Sequence, residues 1–164
     1  MEQKLPTNIT LVIKIIFGYM IAMHILLPVI VFFLYPAKEG EPRGFGINEM
    51  FPADTSNPLY LGVVAAGIIS FFAGFIVPKL MGRAGAARVV SAMAGGTLKE
   101  TSQVSQSFAP YLIRLVLFET TTLCGFVAAF QAELPQYILP FATLALLGAV
   151  MTPPTDKFLS TMSH

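Results

Sequence analysis

Glu119 is the residue of this sequence best suited to carry chemistry, because its carboxyl group interrupts a long apolar stretch. A charged group at the centre of a bilayer costs a few kcal/mol at the least, so such a carboxyl is either neutral or paired. Thr122 lies one turn further along the same helical face and can hydrogen-bond it, whereas Arg114 points about 140° away around the helix. Glu119 is therefore interpreted in two ways. It is either a carboxyl that carries an ion by alternating between protonated and ionised forms, or a neutral, hydrogen-bonded group that fixes helix packing.

The residues around Glu119 resemble a known membrane helix. The segment LVLFETTTLCGFVAA, residues 115–129, is similar to the second helix of the ATP synthase proteolipid (c) subunit, in which an ion-binding carboxyl is followed by a glycine six residues later. Glu119 and Gly125 match that spacing. The resemblance implies that Glu119 is a proton- or sodium-carrying carboxyl with Gly125 in its site, and that several copies of the chain assemble. Thr122 joins this candidate site because of its position one turn from Glu119. The chain also resembles uncharacterised bacterial four-helix membrane proteins that have a similar Glu-containing third helix.

His24 is the second ionisable residue in an apolar stretch, four residues before Pro28. The proline frees a backbone carbonyl near His24, because proline has no N–H group to donate. A neutral imidazole would then bond this region or a neighbouring helix. The alternative is a proton relay between His24 and Glu119, which requires the first and third helices to touch.

Small residues mark the faces on which helices approach each other closely. They occur at small-xxx-small spacing in the first apolar stretch and more densely in the second. The residues concerned are Gly18, Ala22, Gly62, Ala66, Gly67, Ala73 and Gly74. Such faces serve packing within one chain or between subunits, and the sequence leaves both alternatives open.

The residues that several classes of enzyme and metal site require do not occur in this sequence. It contains one cysteine, Cys124, two histidines and no phosphate loop, HExxH motif, nucleophile elbow or acidic cluster. We therefore expect no catalytic residues, no metal site and no cofactor. A net charge of +1 is also not that of a polybasic nucleic-acid binder.

The composition predicts an all-α, polytopic membrane protein. Hydrophobic residues make up 55% of the 164 residues, charged residues only 12%, and the mean hydropathy is +0.72, whereas soluble domains carry about 25% charged residues. Apolar stretches of about 20 residues cross a bilayer as helices. The sequence predicts a single transmembrane domain over residues 1–164, with helices at about 12–35, 59–80, 111–131 and 134–151, an outer loop 36–58 and an inner loop 79–110. Helices three and four are expected to form an antiparallel hairpin, because few residues separate them.

The distribution of charge predicts the orientation of these helices. The first loop holds two basic and four acidic residues, whereas the second holds four basic residues and one acidic residue. Basic loops stay on the cytoplasmic side. Both termini and the second loop are therefore expected in the cytoplasm, with the chain in a bacterial inner (plasma) membrane. Thr97 and Glu100 have capping-box spacing, which predicts that a helix starts there.

Two functional hypotheses follow. The first is an integral membrane, non-catalytic subunit of a larger assembly, whose partners are lipids and either other membrane subunits or copies of itself. The second is a proton- or cation-translocating, proteolipid-like subunit or small transporter that uses Glu119. A membrane enzyme that handles lipid or quinone is a third reading, but the sequence offers no residue set for it.

Overall fold

The fold is all-α in the part of the chain that the computed structural model describes, residues 7–35, 58–93 and 103–154. In these residues the regular structure consists of α1 (Thr7–Leu34), α2 (Pro58–Met93), α3 (Gln103–Ala132), a 3-10 turn (Pro135–Tyr137) and α4 (Ile138–Met151). The prediction of an all-helical fold with four helices is confirmed for the described residues.

Three of the helices are long and apolar enough to cross a membrane. Their apolar segments are Leu11–Leu34, Pro58–Met81 and Phe108–Ala132, of 24, 24 and 25 residues. At about 1.5 Å per residue each segment exceeds the roughly 30 Å of a hydrocarbon core. The fourth helix has 14 residues, or about 21 Å, so a full crossing by α4 stays a prediction.

The ends of α2 and α3 differ from the predicted boundaries. α2 continues to Met93 and α3 already begins at Gln103, so most of the predicted inner loop 79–110 is helical. The extension of α2 is rich in alanine and arginine, which favour helix. Both Pro78 and Pro110 lie inside helices. The outer loop 36–57, the Thr97–Glu100 pair and the tail after residue 154 lie outside the described residues.

α3 is the helix around which the others pack. α2 contacts it along the greatest length, α4 lies against it as the antiparallel partner, and α1 packs on α3 and α4 rather than on α2. The fully buried side chain at the centre is Phe118 of α3. Its ring lies against those of Phe71 and Phe75 of α2. With Ala145 and Ala149 of α4 it forms a buried cluster, against which Phe17 and Ile21 of α1 pack.

Glycines make room for Phe118 on two neighbouring helices. A Cβ atom at Gly74 of α2 would lie 2.6 Å from the Phe118 ring, and one at Gly148 of α4 would lie 2.8 Å from it. Both distances are shorter than van der Waals contact between carbon atoms. The ring of Phe118 therefore fills space that exists only because these two positions have no side chain.

Phe141 of α4 repeats this arrangement in the opposite direction. A Cβ atom at Gly67 or at Gly125 would lie 2.6 Å from Phe141. Phe118 of α3 thus faces Gly148 of α4, and Gly125 of α3 faces Phe141 of α4. Because the two helices are antiparallel, each contributes one aromatic ring and one glycine to the contact.

The hairpin between α3 and α4 is closed by a Schellman motif. Glu133 adopts a left-handed backbone conformation with φ 54°. Its N–H donates to the carbonyl oxygen of Phe130 over 3.4 Å, and the N–H of Leu134 donates to that of Ala129 over 3.1 Å. Pro135 follows at a position where it cannot continue the helix. This turn reverses the chain within a few residues.

Substitution of Gly125 by alanine is expected to destabilise the protein strongly. The new Cβ would collide with Cβ and Cγ of Phe141, 2.6 and 2.9 Å away, which are close to the α4 backbone and cannot easily move. We expect a loss of about 1–3 kcal/mol, the usual cost of overpacking, measured by thermal unfolding in detergent micelles.

Gly62→Ala is the matched control, because a Cβ at Gly62 meets nothing within 4 Å. It should be neutral or gain up to about 1 kcal/mol from helix propensity. Equal unfolding temperatures for the two variants would contradict the assigned packing.

Candidate functional site

His24 lies on the side of α1 that faces the bundle. It shares this buried face with Ile13, Pro28 and Val31, whose spacings of 11, 4 and 7 residues place them on one side of a helix. Only 2% of His24 is exposed. Its Nδ1 atom lies 2.8 Å from Oγ1 of Thr122 in α3, a hydrogen-bond distance. The position of His24 between α1 and α3 follows from the packing of these two helices.

Glu119 completes a group of three polar side chains. Its Oε2 atom lies 3.5 Å from the same Nδ1 atom of His24, and 19% of the Glu119 side chain is exposed. Thr122 stands three residues after Glu119 and thus on a neighbouring part of the helix surface. The structure therefore brings His24, Glu119 and Thr122 together, which the sequence offered only as an alternative that required α1 and α3 to touch.

The polar atoms of this group are not fully satisfied. Glu119 Oε2 and His24 Nε2 are both buried and make no hydrogen bond. Buried polar atoms without a partner are uncommon in native proteins and need a specific explanation. Each of these two atoms can therefore take part in one further hydrogen bond.

His24 Nδ1 allows two arrangements of hydrogen atoms. When Nδ1 carries a proton, it donates to Thr122 Oγ1 and faces an ionised Glu119. When Nδ1 is bare, the Thr122 hydroxyl donates to it, and Glu119 faces it without repulsion only in the protonated form. The two arrangements differ by the transfer of one proton between Glu119 and His24.

The three consecutive threonines of α3 have different partners. Thr120 donates to the carbonyl oxygen of Val116 in its own helix over 2.8 Å. Thr121 donates to the carbonyl of Leu117 over 3.1 Å and also approaches the carbonyl of Gly67 in α2, 3.3 Å away. Thr122, expected to bond Glu119, instead bonds His24.

The other sequence-derived candidates lie in packing positions or on the outer surface. Gly125, which the proteolipid resemblance assigns to the ion site, lies against Phe141 between α3 and α4. Gly67 and Gly74 of α2 are buried against aromatic rings, and Ala73 is half-buried. The remaining small residues, Gly18, Ala22, Gly62 and Ala66, are exposed in the single chain.

Arg114 is a buried polar residue whose partner sequence reasoning missed. Only 2% of it is exposed, and its Nε atom donates to the carbonyl oxygen of Gly74 over 3.0 Å. Pro78, four residues after Gly74, has no N–H group and leaves this carbonyl without its intrahelical donor. The sequence shows Pro78 in one apolar stretch and Arg114 in another, but it does not indicate that the arginine bonds the carbonyl group that the proline leaves free.

No group of three His, Cys, Asp or Glu side chains suited to hold a metal ion occurs within residues 7–35, 58–93 and 103–154. Comparison with protein-family models, with curated proteins and with solved structures finds no match to this chain. The resemblance of residues 115–129 to the proteolipid helix therefore stays a prediction.

Replacement of Arg114 by methionine is expected to destabilise the protein by about 1–3 kcal/mol, because it leaves the carbonyl of Gly74 unsatisfied in an apolar interior. Pro78→Ala restores an N–H group for that carbonyl. In the Pro78→Ala background, Arg114→Met should therefore cost clearly less. The four unfolding free energies form a double-mutant cycle, and strictly additive effects would show that Arg114 does not serve this carbonyl.

Proposed function

We propose that this chain is a non-enzymatic membrane protein that binds and passes on a proton or another cation at Glu119, with His24 as its relay partner. The observation that carries the proposal is the distance of 3.5 Å between Oε2 of Glu119 and Nδ1 of His24. Ionisable residues inside membrane helices are rare, and carboxyl–histidine chains there mark proton pathways.

The depth of the pair in the bilayer supports this function. Glu119 is 11 residues from Phe108 and 13 from Ala132, the ends of its apolar segment, or roughly 17 and 20 Å along the helix. His24 is 13 and 10 residues from the ends of Leu11–Leu34, or roughly 20 and 15 Å. Both side chains thus belong to the middle of the membrane, where a permanent charge has the highest cost.

The chemistry of the pair also favours proton exchange over a purely structural contact. Neutral glutamic acid beside neutral imidazole has the same net charge as carboxylate beside imidazolium. Transfer of the proton between them therefore adds no net charge to the apolar interior, where an isolated charge is expensive.

The orientation and location of the protein are part of the proposal. The basic stretch 79–110, which lies between the apolar parts of α2 and α3, would lie in the cytoplasm with both termini, and α4 would complete the fourth crossing. A bacterial inner membrane, across which a proton gradient is available, fits this arrangement. The proposed partners are lipids and further membrane subunits.

Glu119→Gln is expected to abolish ion movement and leave the fold intact, since the amide has the shape of the acid but cannot release a proton. The measurements are proton uptake, followed by internal pH, and sodium uptake, followed with a radioactive tracer, in proteoliposomes under an imposed potassium diffusion potential. Glu133→Gln, a change of the exposed carboxyl in the α3–α4 turn, is the matched control and should retain the flux. Proton movement at the wild-type rate in Glu119→Gln would end the proposal.

A second candidate function is a non-catalytic subunit of a larger assembly, made of copies of this chain or of other subunits. It is favoured by two open small-residue positions, because a Cβ at Gly18 or at Gly62 meets nothing within 4 Å. Gly62 and Ala66 also line an apolar groove of about 340 Å³ between α2 and α3. Close approach of another helix would use such positions.

Native mass spectrometry of the wild-type protein, extracted in a mild detergent, is expected to show more than one polypeptide in the complex. Gly18→Leu and Gly62→Leu should reduce the assembled fraction without lowering the stability of the single chain. Ile25→Leu, at another exposed position of α1, should leave assembly unchanged. A single-chain mass for the wild type under all extraction conditions would exclude this function.

A further inference from the structure

The His24–Glu119–Thr122 group also restricts the kind of ion that it can hold. We infer that the ion is a proton rather than a metal cation, and that Thr122 is the positioning residue that aims Nδ1 of His24 at Glu119. This inference rests on the proposed function and names the ion of the same site.

The available ligand atoms do not suit a metal cation. The three side chains present two carboxylate oxygens, one hydroxyl oxygen and one ring nitrogen. Ca²⁺ takes about six to eight oxygen ligands and Mg²⁺ about six, so the three oxygens here would supply at most half of such a set. In the described residues no third His, Cys, Asp or Glu joins the pair to form a metal-binding group.

The nitrogen is also already engaged. Nδ1 of His24 makes a hydrogen bond of 2.8 Å with Thr122. If Nδ1 donates in this bond, it has no lone pair for a cation; if it accepts, a metal cation could bind its lone pair only after the Thr122 hydroxyl had been displaced. A proton on Nδ1 causes no such loss, because the hydroxyl then turns and accepts a hydrogen bond from Nδ1–H.

The proton step is a simple exchange between these two atoms. The Oε2–H bond of Glu119 breaks and the Nδ1–H bond of His24 forms, so neutral acid and neutral imidazole become carboxylate and imidazolium. Thr122 turns its hydroxyl from donor to acceptor in the same step. Its hydrogen bond to His24 is therefore kept in both states.

Thr122 differs from its neighbours in the direction of its bond. Helical threonines commonly donate to the carbonyl four residues earlier, as Thr120 and Thr121 do. The bond of Thr122 crosses to α1. It fixes the imidazole so that Nδ1, and not Nε2, lies beside Glu119.

The first test is the reaction of Glu119 with a hydrophobic carbodiimide, which requires a protonated carboxyl group. The full-length protein in detergent is labelled at constant pH and ionic strength in sodium chloride, lithium chloride or choline chloride, and labelling is followed by intact mass, with Glu119→Gln to identify the site. Equal labelling rates in the three salts are expected. Slowing by sodium or lithium of twofold or more, or no labelling at all, would overturn the assignment of a proton.

The two proposals fail in different ways. If Glu119→Gln loses ion flux but sodium protects Glu119 from labelling, the transport function stands and the proton assignment falls. If proton flux is unaffected by Glu119→Gln, the transport function falls whatever the labelling result.

The second test concerns Thr122 and uses the fact that the sequence contains only one other histidine, His164. In protein labelled with ¹⁵N-histidine, the ring-nitrogen shifts of His24 report which nitrogen carries the proton, and His164 is the internal reference. Thr122→Val and Thr122→Ala should change the His24 shifts, whereas Thr122→Ser and the control Thr120→Val should preserve them. Unchanged shifts in a folded Thr122→Val or Thr122→Ala variant would refute the positioning role.

Discussion

Contact between aromatic rings and glycines holds the helices of this protein in register. Inside a bilayer, burial of apolar surface gives little drive for helices to associate, because lipid is as apolar as the side chains, so close van der Waals packing carries more of the energy. Phe118 and Phe141 supply that packing, since each fills space left by glycines on neighbouring helices. α3 is thereby held between α2 and α4. Glu119 directly follows Phe118 and therefore points about 100° further around the helix. The packing that directs the Phe118 ring into the bundle thus directs the Glu119 carboxyl towards α1.

The polar contacts between α2 and α3 follow the same spacing as the apolar ones. Gly67 and Gly74 are seven residues apart, and so are Thr121 and Arg114, the two donors that reach their carbonyl oxygens. A seven-residue spacing returns to nearly the same face after two helical turns. Each glycine thus accepts an aromatic ring beside its Cα atom and a hydrogen bond on its carbonyl oxygen. Buried backbone groups must be satisfied within the protein in a membrane, and Arg114 meets this need where Pro78 removes the normal donor.

The sequence was sufficient for the helical class and for three helices that are long and apolar enough to cross a membrane, because hydropathy indicates both. It was not sufficient for contacts between helices. Gly62 and Gly67 are glycines of the same apolar stretch. A Cβ atom at Gly62 would meet open space, whereas one at Gly67 would meet the ring of Phe141. The contact between His24 and Glu119 could not be predicted from the sequence either, because it depends on how α1 is rotated against α3. The end of α2 was also missed, because the glycines and small residues after Met81 suggested a connecting segment where the helix continues. The capping-box spacing of Thr97 and Glu100 predicted a helix ahead of Pro110, but not that it joins α3 without a break.

If the proposed function holds, the location of the site between α1 and α3 links proton occupancy to helix packing. α1 packs on α3 and α4 over a smaller surface than α2 covers on α3, and the Thr122–His24 bond is a polar contact within that smaller surface. A change in the charge of His24 or Glu119 alters the strength of this contact directly, because hydrogen bonds to charged groups are stronger than those between neutral groups. Binding of a proton and the attachment of α1 to the bundle are therefore thermodynamically linked, and each affects the other by the same free energy. The proposed proton carrier would use this property, because α1 covers His24 and Glu119 with a smaller packed surface than the one between α2 and α3.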